Sequence, residues 1–249
     1  MVSRSWLIPL IFVSLTASAG ESCPKTLDSV MAHYIEARGG IEALDAQHGL
    51  RIVSTHHEGK WNPNFDYRIM KPGYMWITAV YDDGEVIVEG FDGNRGWEKW
   101  AEKPAEYVGG DAEKGVNQGA VSPVHLYGLN HMAELGATVT LLPCEKVQGV
   151  NYVKLNIVST FGTDIDYFLN AETYRLERAR AVRPLHPTQD PTPIPIEERW
   201  SDFRVVNGVL HPFGYELWRW DTEERLAWLE THSIEPLETR DPDFFAKPN

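Results

Sequence analysis

KPGYMWITAVYDDGEVIVEGFDGNRGWEKW, residues 71–100, holds three short runs rich in Val, Ile, Tyr and Trp, parted by turns. Tyr74–Tyr81, Glu85–Phe91 and Arg95–Ala101 read as strands. Asp82-Asp83-Gly84 and Asp92-Gly93 supply the residues that tolerate the positive φ of tight turns. No catalytic motif competes with this pattern, so the fold, and whatever space it encloses, is the route to function.

The same signals continue on both sides. Upstream, Thr26 is placed to cap a helix on which Leu27, Val30, Met31, Tyr34 and Ile35 form one apolar stripe. Gly39-Gly40 ends it, because glycine takes the left-handed conformation past a helix terminus at little cost. Ile41–Gln47 makes a second helical turn. Further strands are expected at Leu50–His57, Phe65–Lys71, Ala137–Leu142, Tyr152–Ser159, Asp164–Asn170, Tyr174–Val182, Ile196–Val205, Phe213–Trp220 and Arg225–Ile234. Pro184–Pro195 reads as a loop, since proline cannot donate inside a sheet. Gly119–Leu135 is the exception: Leu126, Leu129, Met132, Ala133 and Leu135 have mixed helical spacing, which predicts one or two short helices inserted between strands. Ile165, Tyr167 and Leu169 share one strand face and Phe168 takes the other. Strands apolar on one face and partly aromatic on the other suit a curved sheet whose concave side is neither packed solid nor fully wet. A two-layer sandwich with an aromatic core is the competing arrangement.

The N-terminus reads as an export signal. Arg4 is the only charge before Glu21, Trp6–Leu15 is an apolar core of about ten residues, and Ala17-Ser18-Ala19 is a small-x-small cleavage pattern. The apolar run is too short for a good membrane span, which needs about 20 residues. Residues 1–19 are thus expected to be a signal peptide and 20–249 one domain of an exported, periplasmic protein. Losing Arg4 moves the formal net charge from −13 to −14. Such acidity repels nucleic acid and anionic headgroups. Cys23 and Cys144 are the only cysteines. In an oxidising compartment they either pair, closing a loop of about 120 residues, or remain two buried thiols.

Recognisable chemistry is missing from the sequence. There is no G-x-S-x-G, P-loop, G-x-G-x-x-G or Cys-x-x-Cys pattern. His56 and His57 are adjacent on a strand and face opposite ways. His125 and His131 are six apart, where i, i+4 would place two ligands on one helix face, and His186 and His211 have no site-like spacing. No metal or cofactor is implied, and the histidines read as solvated or hydrogen-bonded.

Several motifs together resemble the LolA/LolB/LppX-like group of exported outer-membrane lipoprotein-sorting proteins. Lys71-Pro72, Tyr74-Met75-Trp76 and Asp92–Trp97 answer in order to that group's basic-Pro, aromatic strand and Asp-Gly turn before Trp. Ala37–Leu44 is similar to its A-x-G-G-x-x-A-L start, and Gly149–Leu155 to its G-x-x-Y-x-L strand. Asp166–Tyr174 resembles its aromatic hairpin, Trp200–Pro212 its sdYr segment, and Asp243–Pro248 its ending. The resemblance spans about residues 27–248. It implies an antiparallel half-barrel whose apolar concave side is covered by N-terminal and inserted helices acting as a lid. It also implies a cavity for the acyl chains of a lipid or lipoprotein, because a soluble carrier must enclose such a chain. On this footing Tyr74, Trp76 and Trp97 are the expected cavity wall, and Leu27, Met31 and Tyr34 the covering helix face. Lys71 stands where the carriers have a lid-latching arginine, but lysine lacks the planar fork of donors.

The reading is therefore a periplasmic, non-enzymatic carrier or binding protein, monomeric, with a membrane-bound delivery partner as a candidate. An enzyme acting on an apolar small molecule in the same cavity, and an envelope sensor that binds lipoproteins, are the alternatives.

Overall fold

The computed structural model describes residues 23–248; the expected signal peptide lies outside the described residues. Among the described residues thirteen strands form one open antiparallel sheet, which excludes the two-layer sandwich. They are β1 (Gly49–His57), β2 (Asn64–Met70), β3 (Tyr74–Val80), β4 (Val86–Asp92), β5 (Gly96–Trp100), β6 (Glu106–Tyr107), β7 (Thr138–Val147), β8 (Val150–Val158), β9 (Asp164–Asn170), β10 (Leu176–Arg183), β11 (Ile194–Val206), β12 (Val209–Arg219) and β13 (Glu224–Pro236). The order is β6-β5-β4-β3-β2-β1-β13-β12-β11-β10-β9-β8-β7. Every neighbour is a chain neighbour except β1 and β13, whose pairing (Ile52 opposite Ile234) joins two meanders into one half-barrel. The Asn207-Gly208 turn between β11 and β12 uses left-handed backbone at both residues, φ 47° and 83°, which this residue pair tolerates.

Side-chain alternation gives the sheet an inner and an outer face. Leu50, Ile52, Ile69, Met75, Phe91, Leu155, Ile157, Ile165, Tyr167, Trp200 and Ile234 belong to the inner core. Helix α1 (Leu27–Arg38) covers it with Val30 and Tyr34, both fully buried. The Thr26 hydroxyl accepts from the Ser29 amide to start this helix, and Gly39 ends it at φ 115°. A Cβ on Gly39 would meet the Gly208 carbonyl oxygen at 2.0 Å, so glycine lets the helix end rest on the β11–β12 turn. A short helix, α2 (Ile41–Ala46), follows.

The inserted helix is displaced from its expected position. Regular helix α3 covers Gly110–Ala120, whereas residues 121–137 run in turns with a single 3-10 turn at Leu129–His131. GDAEKGVNQGA is poor in helix-forming propensity, with glycines at 110, 115 and 119. Tertiary packing overrides that: Ala112, Val116 and Ala120 recur every four residues and are buried. A Cβ on Gly119 would lie 2.7 Å from Met75 Sδ, so the small residue permits the helix's close approach to β3.

The outer face is polar over β8–β12. Glu197 is fully buried, and its carboxylate accepts from Arg178 (2.7 Å), Arg180 (2.6 Å) and Arg199. Burial works to raise this carboxyl, but the Arg199 and Arg180 hydrogen bonds outweigh it and hold the group below the usual carboxylate range.

Candidate functional site

The inner face holds a cavity of about 150 Å³. Phe91 of β4 stands on one side, and Ile157, Ile165 and Tyr167 of β8 and β9 on the other, strands at distant places in the sheet order. Val121, Met132 and Leu135, from the segment after α3, close the third side. Phe161, 37 % exposed in the β8–β9 turn, meets Phe91 edge-on at 5.9 Å between centroids, joining the two flanks across the cavity.

One polar seam runs along this wall. Gln118 Nε2 of α3 donates to the Tyr167 hydroxyl at 2.9 Å, and Thr163 Oγ1 lies 3.3 Å from Gln118 Oε1 and 2.7 Å from Ser159 Oγ. Tyr67 donates to the Gly119 carbonyl at 2.6 Å. Burial pushes both tyrosines well above their ordinary range, so they stay neutral donors and acceptors. The seam ties α3 to the sheet by a few hydrogen bonds across an otherwise apolar contact.

None of the six expected cavity residues lines this space. Tyr74, Trp76 and Trp97 lie on the outer face with Met70, under the C-terminal 3-10 turn Pro242–Phe245. Trp97 is fully buried, sits edge-on to Trp76 at 5.0 Å, and donates Nε1–H to the Phe245 carbonyl at 3.2 Å. Tyr74 and Trp76 each pack against a phenylalanine of that turn, Phe245 and Phe244. The correction is one of strand parity: Met75 and Ile77 take the inner face, and a period of two sends their neighbours outward. Leu27, Met31 and Tyr34 do face the sheet, but in solid core. There the Tyr34 hydroxyl donates to the Pro123 carbonyl at 3.2 Å and accepts from Arg38 at 2.9 Å, pinning α1 to the inserted segment.

Lys71 Nζ donates to the Leu44 carbonyl at 3.0 Å, so it tethers α2 through a single point. Burial lowers its pKa, opposed by Asp45 and Glu134. Cys23 and Cys144 are joined in the structure with Cα atoms 6.1 Å apart, which ties the chain ahead of α1 to edge strand β7.

His57 stacks on Trp228 at 3.8 Å while His56 stacks on Phe65, on opposite faces. His211 is fully buried, 3.1 Å from Gln47 Oε1. Among the described residues no group of three His, Cys, Asp or Glu side chains is arranged to hold a metal ion. A polar cluster on the inner face, bringing Glu58, His56 and His186 together, was missed by sequence reasoning. Residues 58 and 186 come from distant turns, and no local spacing announces their meeting.

Neither a protein-family model nor a curated protein sequence matches this chain. Solved structures do. A DUF1329 family protein from Desulfovibrio piger superposes with a TM-score of 0.57 at 12 % identity, covering 90 % of this chain and 98 % of its own. A LolA superfamily protein from Nitrosomonas europaea gives 0.56 at 11 %, covering 90 % and 99 %. An outer membrane lipoprotein-sorting protein domain from Vibrio parahaemolyticus gives 0.53 at 9 %, covering 88 % and 95 %. The fold is LolA-like: an open antiparallel half-barrel with helices over its inner face.

Proposed function

We propose that this protein is a periplasmic carrier or binding protein that encloses an acyl chain of a lipid or lipoprotein in the inner face of its half-barrel. The observation that carries this reading is the apolar cavity between Phe91, Ile157, Ile165 and Met132, roofed by a helix that a few hydrogen bonds hold down. Size constrains the mechanism. A cavity of about 150 Å³ admits a benzene-sized group, while pockets for larger ligands run to roughly 300–1,000 Å³. On this reading the protein is described in its closed form, seating a chain terminus only. A full acyl chain needs α3 and residues 121–137 to move away from the sheet. Export by cleavage after Ala19 belongs to the same proposal, and so does a non-catalytic role.

Titration of a fluorescent fatty-acyl probe into the protein, with unlabelled fatty acid as competitor, tests the reading. Saturable, competable binding is expected below the probe's own aggregation. Absence of saturable binding there overturns it.

A further inference from the structure

The inner face changes character along its length. Away from the helix-covered cavity, the β10–β11 loop, residues 184–193, reaches the β1–β2 hairpin although β12 and β13 lie between them in the sheet. One side-chain contact spans that distance. His186 Nε2 donates to Glu58 Oε1 at 2.7 Å, and Glu58 Oε2 accepts from His56 Nε2 at 3.1 Å. Among the described residues it is the one side-chain hydrogen bond from residues 185–193 to the rest of the chain; Leu185 adds apolar packing against Ile196 and Leu217. The loop is stiff enough to transmit such a tether. Pro184, Pro187, Pro191 and Pro193 fix its backbone, and the Gln189 and Asp190 amides both donate to the His186 carbonyl, at 2.9 and 2.8 Å.

We propose that residues 184–193 form a strap across one end of the inner face, latched by the His186–Glu58 ion pair and released as pH rises through neutrality.

The charges around the latch set the direction. Glu58 faces His186 and His56, and its hydrogen bonds from them outweigh the burial that would raise it, holding it at about 2; it stays anionic throughout. The Glu58 hydrogen bond raises His186 above its ordinary value, against burial and against Arg183 on β10. From β4, Glu89 also faces His186. Burial and then the Glu98 carboxylate opposite it on β5 raise Glu89 to about 7, and His186 opposes this. Farther round, Arg183 pairs with Glu198 of β11 at 3.0 Å. Tyr81 and Tyr215 lie within range of Glu58, and both are raised first by burial, so they remain neutral near pH 7. A folded-state pKa above the unfolded value gives stability that is complete at low pH and lost as pH climbs through the folded pKa. His186 and Glu89 both obey that sign. The strap is therefore held by a charge-assisted bond in mild acid. As His186 loses its proton the latch ceases to be an ion pair and keeps only a bond from a neutral imidazole to the Glu58 carboxylate.

The device does not depend on acyl binding, so it is tested without ligand. Hydrogen exchange of the Gln189 and Asp190 amides, corrected for intrinsic rate, is measured on the intact protein between about pH 5.5 and 8.5, on both sides of neutrality. Wild-type protection is expected to fall about fivefold across that range, the scale of a partly exposed ion pair. His186→Gln keeps an amide donor for Glu58 without a titrating charge, and Glu58→Gln removes the anion; both are expected to flatten the profile. NMR titration of the wild-type His186 ring is expected above about 6.5. Flat wild-type protection, an unchanged slope in His186→Gln, or a His186 titration at or below that value overturns the proposal.

Discussion

Strand β3 has two faces with opposite fates. Outward, Tyr74 and Trp76 are sealed by the chain's own C-terminus: Phe244 and Phe245 pack on them, and Trp97 fills the gap beside Gly90, where a Cβ would fall 2.2 Å from the indole. Inward, Met75 and Ile77 join a core that is solid under α1 and hollow beside α3. Both faces are aromatic-rich, so composition alone does not tell a packed face from a hollow one. The difference is the covering element. A 3-10 turn carrying two phenylalanines fills its side, whereas a glycine-rich helix with Ala112, Val116 and Ala120 covers its side thinly.

Four perturbations break or sharpen this contrast. Reduction of Cys23–Cys144 is expected to cost about 4–5 kcal/mol in the chain-entropy picture for a loop of this length. The loss is concentrated at the helix-covered side, where the bond ties the start of α1 to β7. Denaturant unfolding with and without reductant measures it; two free thiols in unreduced, unfolded protein would show there is no bond to break. Next comes Trp97→Ala on the sealed face, expected to cost about 3–5 kcal/mol while acyl-probe affinity per folded molecule is unchanged. A matched loss of affinity would put the ligand on the outer face after all. Filling the hollow with Ile165→Trp reverses the pattern: saturable probe binding is abolished at a stability change of about 1–3 kcal/mol from overpacking. The smallest change in stability belongs to Phe161→Ala. This removes an exposed ring and its edge contact with Phe91, about 0.5–1.5 kcal/mol. Stopped-flow mixing is expected to show faster probe entry and exit; unchanged rates mean the ligand enters elsewhere.

How much of this was legible without coordinates differs by level. The strand ladder was readable because alternation and turn residues are local: Tyr74–Val80 falls within the expected Tyr74–Tyr81, and Val86–Asp92 lies one residue along from the expected Glu85–Phe91. Helix α1 was readable because Thr26 and Gly39 cap a single apolar stripe. Helix α3 was misplaced because its propensity is weak and its stability comes from contact with β3 and β5. The wall residues were assigned to the wrong face because alternation separates two faces without saying which one curves inward. Only the C-terminal turn, some 150 residues later in the chain, decides that Trp97 is covered from outside.

The sequence by itself determined an acidic, strand-rich chain with a capped N-terminal helix, two cysteines and no familiar catalytic motif, since each of these is written in composition or short-range spacing. The tertiary structure alone decided where the hollow lies, which helix roofs it and that His186 meets Glu58. These are contacts between residues tens to more than a hundred positions apart. Their formation depends on how one twisted sheet wraps and on what it then has left to pack.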